Sequence, residues 1–222
     1  MVAPTAQSSV SGPSGPATPA SAASQDNPST TSGASTQSTA QPAQATIPLK
    51  KSDKKNWPTE LDIPSIGVKA KFGQPIVQVW DGKEWTITPP ETTWEDLQRA
   101  YWWREHALPG PTKDTAYVYA HACDPTQCAF NKLHLVRVGA MVRVVTDTYV
   151  AAYRIVPIDP HQPHAGVQQF AKTVKGIGSS TSSVADFHVP GRLVLITCGY
   201  TPDGASPFNW VAFAQLVSAH RK

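Results

Sequence analysis

The first quarter of the chain lacks almost everything that builds a folded core. Residues 1–49 hold no aromatic residue and a single charged one, Asp26, among Ser, Thr, Ala, Gln and seven prolines. Such a segment cannot bury enough apolar surface to offset the entropy of ordering it. It is expected to be a disordered stalk, of a composition that also suits O-glycosylation. Nowhere does the sequence contain an apolar run of about 18 residues, the length that spans a bilayer, so no membrane-crossing helix is expected. No basic segment followed by an apolar one opens the chain, so no signal peptide is expected either. Charge of one sign is also scarce: 19 Lys and Arg face 16 Asp and Glu, a net +3. Without runs of interleaved basic and aromatic residues, that balance argues against a nucleic-acid binder.

What is present begins near residue 50. Lys50, Lys51, Lys54 and Lys55 form a basic hinge, read as a solvated boundary or, alternatively, as an attraction to an anionic surface. All seven tryptophans lie at or beyond Trp57. The expected organisation is therefore a stalk with its hinge over 1–56 and one domain over 57–222, long enough for a sizeable core. A polar stalk before a compact domain suits an extracellular, surface-tethered protein whose anchor or signal segment is not in this chain.

Within the domain the pattern is mostly that of strands. LDIPSIGVKAKF (61–72) alternates and contains Pro64 and Gly67, as an edge strand would. IVQVW (76–80), Asp81-Gly82 and EWTIT (84–88) read as a hairpin. Thr92 or Thr93 caps a short helix over TWEDLQRAYWW, with acids in its first turn. Strands follow at 115–121, 141–146, 149–158, 192–198 and 209–217, with a helical turn expected at 166–172 and a long loop at 173–191. Seven or eight strands with one or two short helices predict a mainly β protein, a sandwich or a barrel. The two-faced apolar run LVLIT favours a filled barrel.

Three cysteines are few, and they divide unevenly. Cys123 and Cys128 frame CDPTQC, where Asp124-Pro125 initiates a turn, so the pair can close a small disulfide in an oxidising compartment. A rival reading joins His121, Cys123, Cys128 and His134 as H-x-C-x4-C-x5-H around zinc, with a spacing irregular for zinc knuckles. The two readings exclude each other at His121, because a metal-bound imidazole cannot act as a base. Cys198 is left over at the end of LVLITC. It is either a small core hydrophobe or a nucleophile whose base comes from elsewhere in the chain.

The order of these pieces decides the matter. LDIPSIGV, then ALPGPTKDTAYVYAH ending in His121, then LVRVGAMVRVVT, then LVLITC ending in Cys198 resemble the sortases, cysteine transpeptidases of bacterial cell surfaces. The resemblance covers roughly residues 61–217. IPSIGV and the Pro109-Gly110 pair look most like the actinobacterial class E/F type. Ala120 departs from the glycine that usually precedes the histidine. The resemblance implies a sortase-like closed β-barrel with Cys198 as nucleophile and His121 as its acid and base. It implies no cofactor and no metal, and a monomer is expected. The partners implied are an LPxTG-like peptide of surface proteins and an amine on a cell-wall precursor or another surface protein.

The chemistry is independent of the name. A thiol attacks an amide carbonyl as thiolate, which a neighbouring imidazolium stabilises. The imidazole then protonates the leaving amine and deprotonates the incoming one. In the resembling family an arginine on the last strand holds the developing charge, and NWVAFAQ aligns Asn209 at that place. Asn209 can donate a hydrogen bond there without the charge or the fork of arginine. Otherwise Arg104, Arg143 or Arg154 reaches in, or the protein is a catalytically silent peptide-binding module. Thr197 and the apolar residues Val167, Phe170, Val174 and Ile177, with Val184, are the expected substrate contacts. The loop after Cys198 is expected to gate the second substrate.

Overall fold

The structure is a computed structural model that describes residues 49–80, 85–87, 90–123, 128–159, 161–171, 188–199 and 208–222. The stalk up to residue 48, the Asp81-Gly82 turn, the loop residues Val174, Ile177 and Val184 and most of the segment following Cys198 lie outside the described residues.

The strands in chain order are β1 (Pro58–Ile63), β2 (Val68–Lys71), β3 (Val79–Trp80), β4 (Trp85–Thr86), β5 (Ala100–Trp102), β6 (Ala116–Ala120), β7 (Met141–Thr146), β8 (Tyr149–Val156), β9 (Gln168–Ala171), β10 (Arg192–Gly199) and β11 (Phe208–Arg221). One short helix, α1 (Trp94–Leu97), precedes β5. Eight strands follow one another in the order β2-β1-β7-β8-β11-β10-β6-β5, with β9 added to β11 and β3-β4 forming a separate ribbon. Bridges from Phe72 to Ala100 and from Ile76 to Trp103 bring the two edges together, so the sheet is a nearly closed barrel. Closure removes the exposed strand edges that invite aggregation.

The period of two on each strand explains why both faces are buried. Leu193 and Leu195 point inward with Ala116, Val118, Trp102, Ala212 and Ala214, into a core completed by Leu61, Ile63, Val142, Val144, Tyr153 and Ile155. Val194 and Ile196 point outward with Tyr117, Tyr119, Val211 and Phe213 into a second cluster, covered by Ile76, Ile87, Ile158 and Phe170. Each large side chain so buried contributes about 1.5–3 kcal/mol. Trp102 is completely enclosed, and its indole N–H donates to the Ala107 carbonyl at 2.7 Å.

Several elements differ from the sequence pattern. The single edge strand expected over 61–72 is two antiparallel strands, β1 and β2. Pro64 opens a single 3-10 turn between them, and Gly67 takes a left-handed φ of 66° that a side chain would strain. The helix expected through Trp103 stops at Leu97, and Ala100–Trp102 pairs with β6. Burial on alternating faces wins there, because Tyr101 belongs to the outer cluster and Trp102 to the inner core. The helical turn expected at 166–172 is instead β9, recruited as a strand by the free edge of β11.

The described residues before β1 pack on the barrel. Leu49 packs on the inner core. Asn56 is buried, and its amide donates to the Lys50 carbonyl while its oxygen accepts from Thr148. A Cβ on Gly110 would stand 2.7 Å from Leu49 Cδ1 and 3.2 Å from the Tyr149 ring, so a bare backbone at 110 admits this incoming segment.

Candidate active site

Cys198 sits near the end of β10, flanked by β11 on one side and β6 on the other. On β11 its direct partner is Asn209. The β10–β6 ladder is parallel and pairs Ile196 with Tyr119. Two residues further along the same register, Cys198 stands beside His121. Thr197 secures that extension, because its hydroxyl donates to the Ala120 carbonyl at 2.7 Å. On the far side of Asn209, β9 contributes Phe170. One row across four neighbouring strands therefore reads His121, Cys198, Asn209, Phe170, with about 4.8 Å between strands.

Residues in one row project from the same face, here the outer one. The row beneath it, Tyr101, Tyr119, Ile196 and Val211, belongs to the outer cluster and forms an apolar floor. Cys198 and Asn209 are half-buried and His121 is 7% exposed, so the thiol is reachable while the imidazole is held. Gly199 follows the cysteine for a steric reason. A Cβ there would fall 1.8 Å from the Phe208 ring, whose residue is its β11 partner.

The imidazole is engaged by a segment that the sequence pattern did not single out. Its Nε2 donates to the Pro90 carbonyl at 3.1 Å, and its Nδ1 lies 3.7 Å from a Glu91 carboxylate oxygen. Pro90 and Glu91 precede α1, which begins with Thr93 as N-cap. Thr93 Oγ1 accepts from the Asp96 backbone N–H at 3.1 Å, and the Asp96 carboxylate accepts from the Thr93 N–H at 3.0 Å. The Thr92 hydroxyl, then the Thr93 hydroxyl, and the Thr93 N–H also donate to that carboxylate and lower its pKa. No local pattern could have flagged Pro90 or Glu91, since their contact with His121 spans about thirty residues of chain.

Other expected site residues fall elsewhere. Thr197 faces inward, is 3% exposed, and spends its hydroxyl on Ala120, so it staples β10 to β6 and does not line the outer face. Val167 packs against the inner core, apart from Phe170. None of the three alternative arginines approaches the row. Arg104 follows β5 at the end away from His121, with its guanidinium over the Trp57 ring at 5.9 Å. Arg143 is exposed on β7 opposite Asp62. Arg154 pairs with Gln215, about 20 Å along β11 from Asn209 at the rise of a strand. Arg99 enters the row beside His121 by register, but its guanidinium turns away to Glu95 and the Phe72 carbonyl.

Cys123 and Cys128 are joined as a disulfide, and Cys198 is a free thiol. The zinc set of His121, Cys123, Cys128 and His134 is therefore not assembled, and among the described residues no group of three or more potential ligands is placed to hold a metal. Asn131 clamps the same segment: its oxygen accepts from the Cys123 N–H at 2.6 Å and its amide donates to the Cys123 carbonyl at 2.8 Å. His106 is half-buried rather than a solvated surface histidine. Burial, with Lys51 nearby, takes its pKa down to about 4, so it is neutral at pH 7. It packs edge-on against Trp103 and Tyr117.

The disulfide closes a small loop two residues beyond His121. Replacing Cys123 and Cys128 together by serine is expected to cost about 2 kcal/mol by loop entropy. Urea denaturation of the double variant checks this, and an unchanged midpoint would mean that the Asn131 clamp alone holds the loop.

Comparison with known proteins bears on the fold and the family. Residues 61–217 match the family model described as the sortase domain. A search of curated protein sequences finds no match. Among solved structures, the chain resembles sortase A of Listeria monocytogenes with a TM-score of 0.51 at 15% identity, over 73% of this chain and 88% of that one. It resembles sortase C-3 of Streptococcus pneumoniae with a TM-score of 0.51 at 14% identity, over 81% and 73%. Against sortase A of Corynebacterium diphtheriae the TM-score is 0.50 at 15% identity, over 72% and 60%. At such identities the likeness speaks for the fold, and the match to the family model extends over most of the chain.

Proposed function

This chain belongs to the sortase family, and from that premise we propose that it is a cysteine transpeptidase of the bacterial cell surface. Its substrate is an LPxTG-like sorting peptide of a surface protein. The Cys198 thiolate attacks the carbonyl between Thr and Gly of that peptide. The C–N bond breaks, the amine leaves with a proton from His121, and the acyl group stays on sulfur as a thioester. An amine from a cell-wall precursor or another surface protein then attacks the thioester. His121 takes its proton, and the thiolate departs. Asn209 donates to the oxyanion in both steps.

The observation that carries this reading is the row of His121, Cys198 and Asn209 on adjacent strands and one face. Strands hold side chains in place more firmly than loops do, which suits a reaction whose groups must meet within a fraction of an ångström. The apolar floor under the row, with Phe170 at its edge, suits the Leu and Pro of such a peptide. IPSIGV and Pro109-Gly110 support the finer assignment to the actinobacterial class E/F type. Residues up to 48 serve in this reading as the polar stalk, and the protein acts as a monomer without a cofactor.

Asn209 also supports a second reading. The family's arginine is replaced by a neutral donor, as in a peptide-binding module that has lost turnover. Intact-mass spectrometry of the protein with an LPxTG-type peptide library and triglycine separates the two. An acyl adduct, or a peptide–triglycine ligation product, establishes the transpeptidase. Peptide retained in calorimetry with no adduct over hours establishes the silent module.

A further inference from the structure

We propose that Glu91 is a positioning residue for His121, and that the Pro90-Glu91 segment belongs to the catalytic machinery. This rests on the reading of His121 as acid and base. The segment offers the ring two acceptors, one at each nitrogen: the Pro90 carbonyl at Nε2 and the Glu91 carboxylate at Nδ1. A neutral imidazole has one N–H and satisfies only one of them. An imidazolium adds a charge at Nδ1, which the Glu91 carboxylate faces at ion-pair distance, 3.7 Å. The arrangement is therefore complementary to the charged ring, the form that faces a thiolate before attack and that arises again when the incoming amine is deprotonated.

The surroundings of the ring single out this carboxylate. Arg99 just before β5, Tyr101 on β5, Tyr119 on β6 and Cys198 on β10 are the other charged or titratable groups flanking His121 by register. Arg99 is bound to Glu95 and to the Phe72 carbonyl. Tyr101 donates to the Asp96 carbonyl, and burial raises its pKa to about 12, so it stays neutral. Asp96 is occupied in capping α1. Glu91 remains as the carboxylate in contact with the ring. It holds the ring and offsets its charge. Its backbone is fixed at one end by the α1 cap and at the other by the Pro90 carbonyl bonded to the ring.

The test pairs kinetics with a readout that needs no turnover. In the full chain, E91Q is expected to lower kcat by about three- to fivefold with KM unchanged, the size of an exposed ion pair. E91K lowers it by a similar factor again, and E91D restores most of it. That grading by charge is not expected of a structural role, because Gln has the shape of Glu. In parallel, the ring nitrogen resonances of His121 are followed by NMR. They are expected to move in E91Q and to stay in place in E105Q, a change at an exposed glutamate beyond the opposite end of β5. Ring resonances unmoved by E91Q, or kcat equal across the series, overturn the proposal. Resonances that move in a protein that forms no adduct uphold the pairing and overturn the transpeptidase reading instead.

Discussion

Cys198→Ala is expected to abolish any acyl adduct and to leave the fold intact. The thiol is the only free one among three cysteines, since Cys123 and Cys128 are bonded to each other. Alanine keeps the small size of the residue and leaves the strand pairing with Asn209 undisturbed. Cys198 is half-buried, so truncation opens little cavity, and the thermal midpoint should stay within a few degrees. Mass spectra of the variant with peptide should show unmodified protein after overnight incubation. An adduct that persists would mean that another nucleophile carries the reaction. Peptide affinity should survive the change, because the apolar floor is untouched.

Asn209→Ala is expected to cost about 10²–10³ in kcat/KM, the loss typical of one oxyanion-hole donor. The argument is geometric. Asn209 is the direct cross-strand partner of Cys198, so its amide projects from the same face as the thiol. Arg104, Arg143 and Arg154 all lie elsewhere on the barrel. If Asn209 is the donor, Asn209→Arg should retain activity, because a guanidinium supplies the same hydrogen bond with added charge. Stopped assays on the three proteins decide it. Wild-type rates in the alanine variant would exclude Asn209 from the chemistry and assign the oxyanion to backbone N–H groups alone.

Much of this was legible in the chain because strands write their faces at a period of two. LVLITC and AYVYAH each show both faces apolar, and the structure buries one set inside the barrel and the other outside. The chemistry-bearing residues at their ends follow from that pairing. What failed was local context. AYWW looks helical after a good N-cap, yet it is a strand because β6 offers a partner and both barrel faces accept its aromatics. GVQQFAK turned to strand at the edge of β11 in the same way. Thr197 stands beside Cys198 in the sequence, but neighbours along a strand point to opposite faces, and its hydroxyl turns inward to the Ala120 carbonyl. Glu91 was invisible, because its partner lies across the fold and neither residue carries a pattern that names the other.

The place of β11 in the sheet sets a timetable. The last described strand is not at an edge. It runs over Phe208–Arg221 between β8 and β10 and also carries β9. The barrel therefore cannot close until Phe208–Arg221 has been made, after every other described strand. Until then β10 lacks one neighbour, Cys198 lacks Asn209, and the two open edges are the sites most exposed to mispairing. A nascent chain thus holds its thiol on the β6 side of β10 and lacks Asn209 until β11 docks.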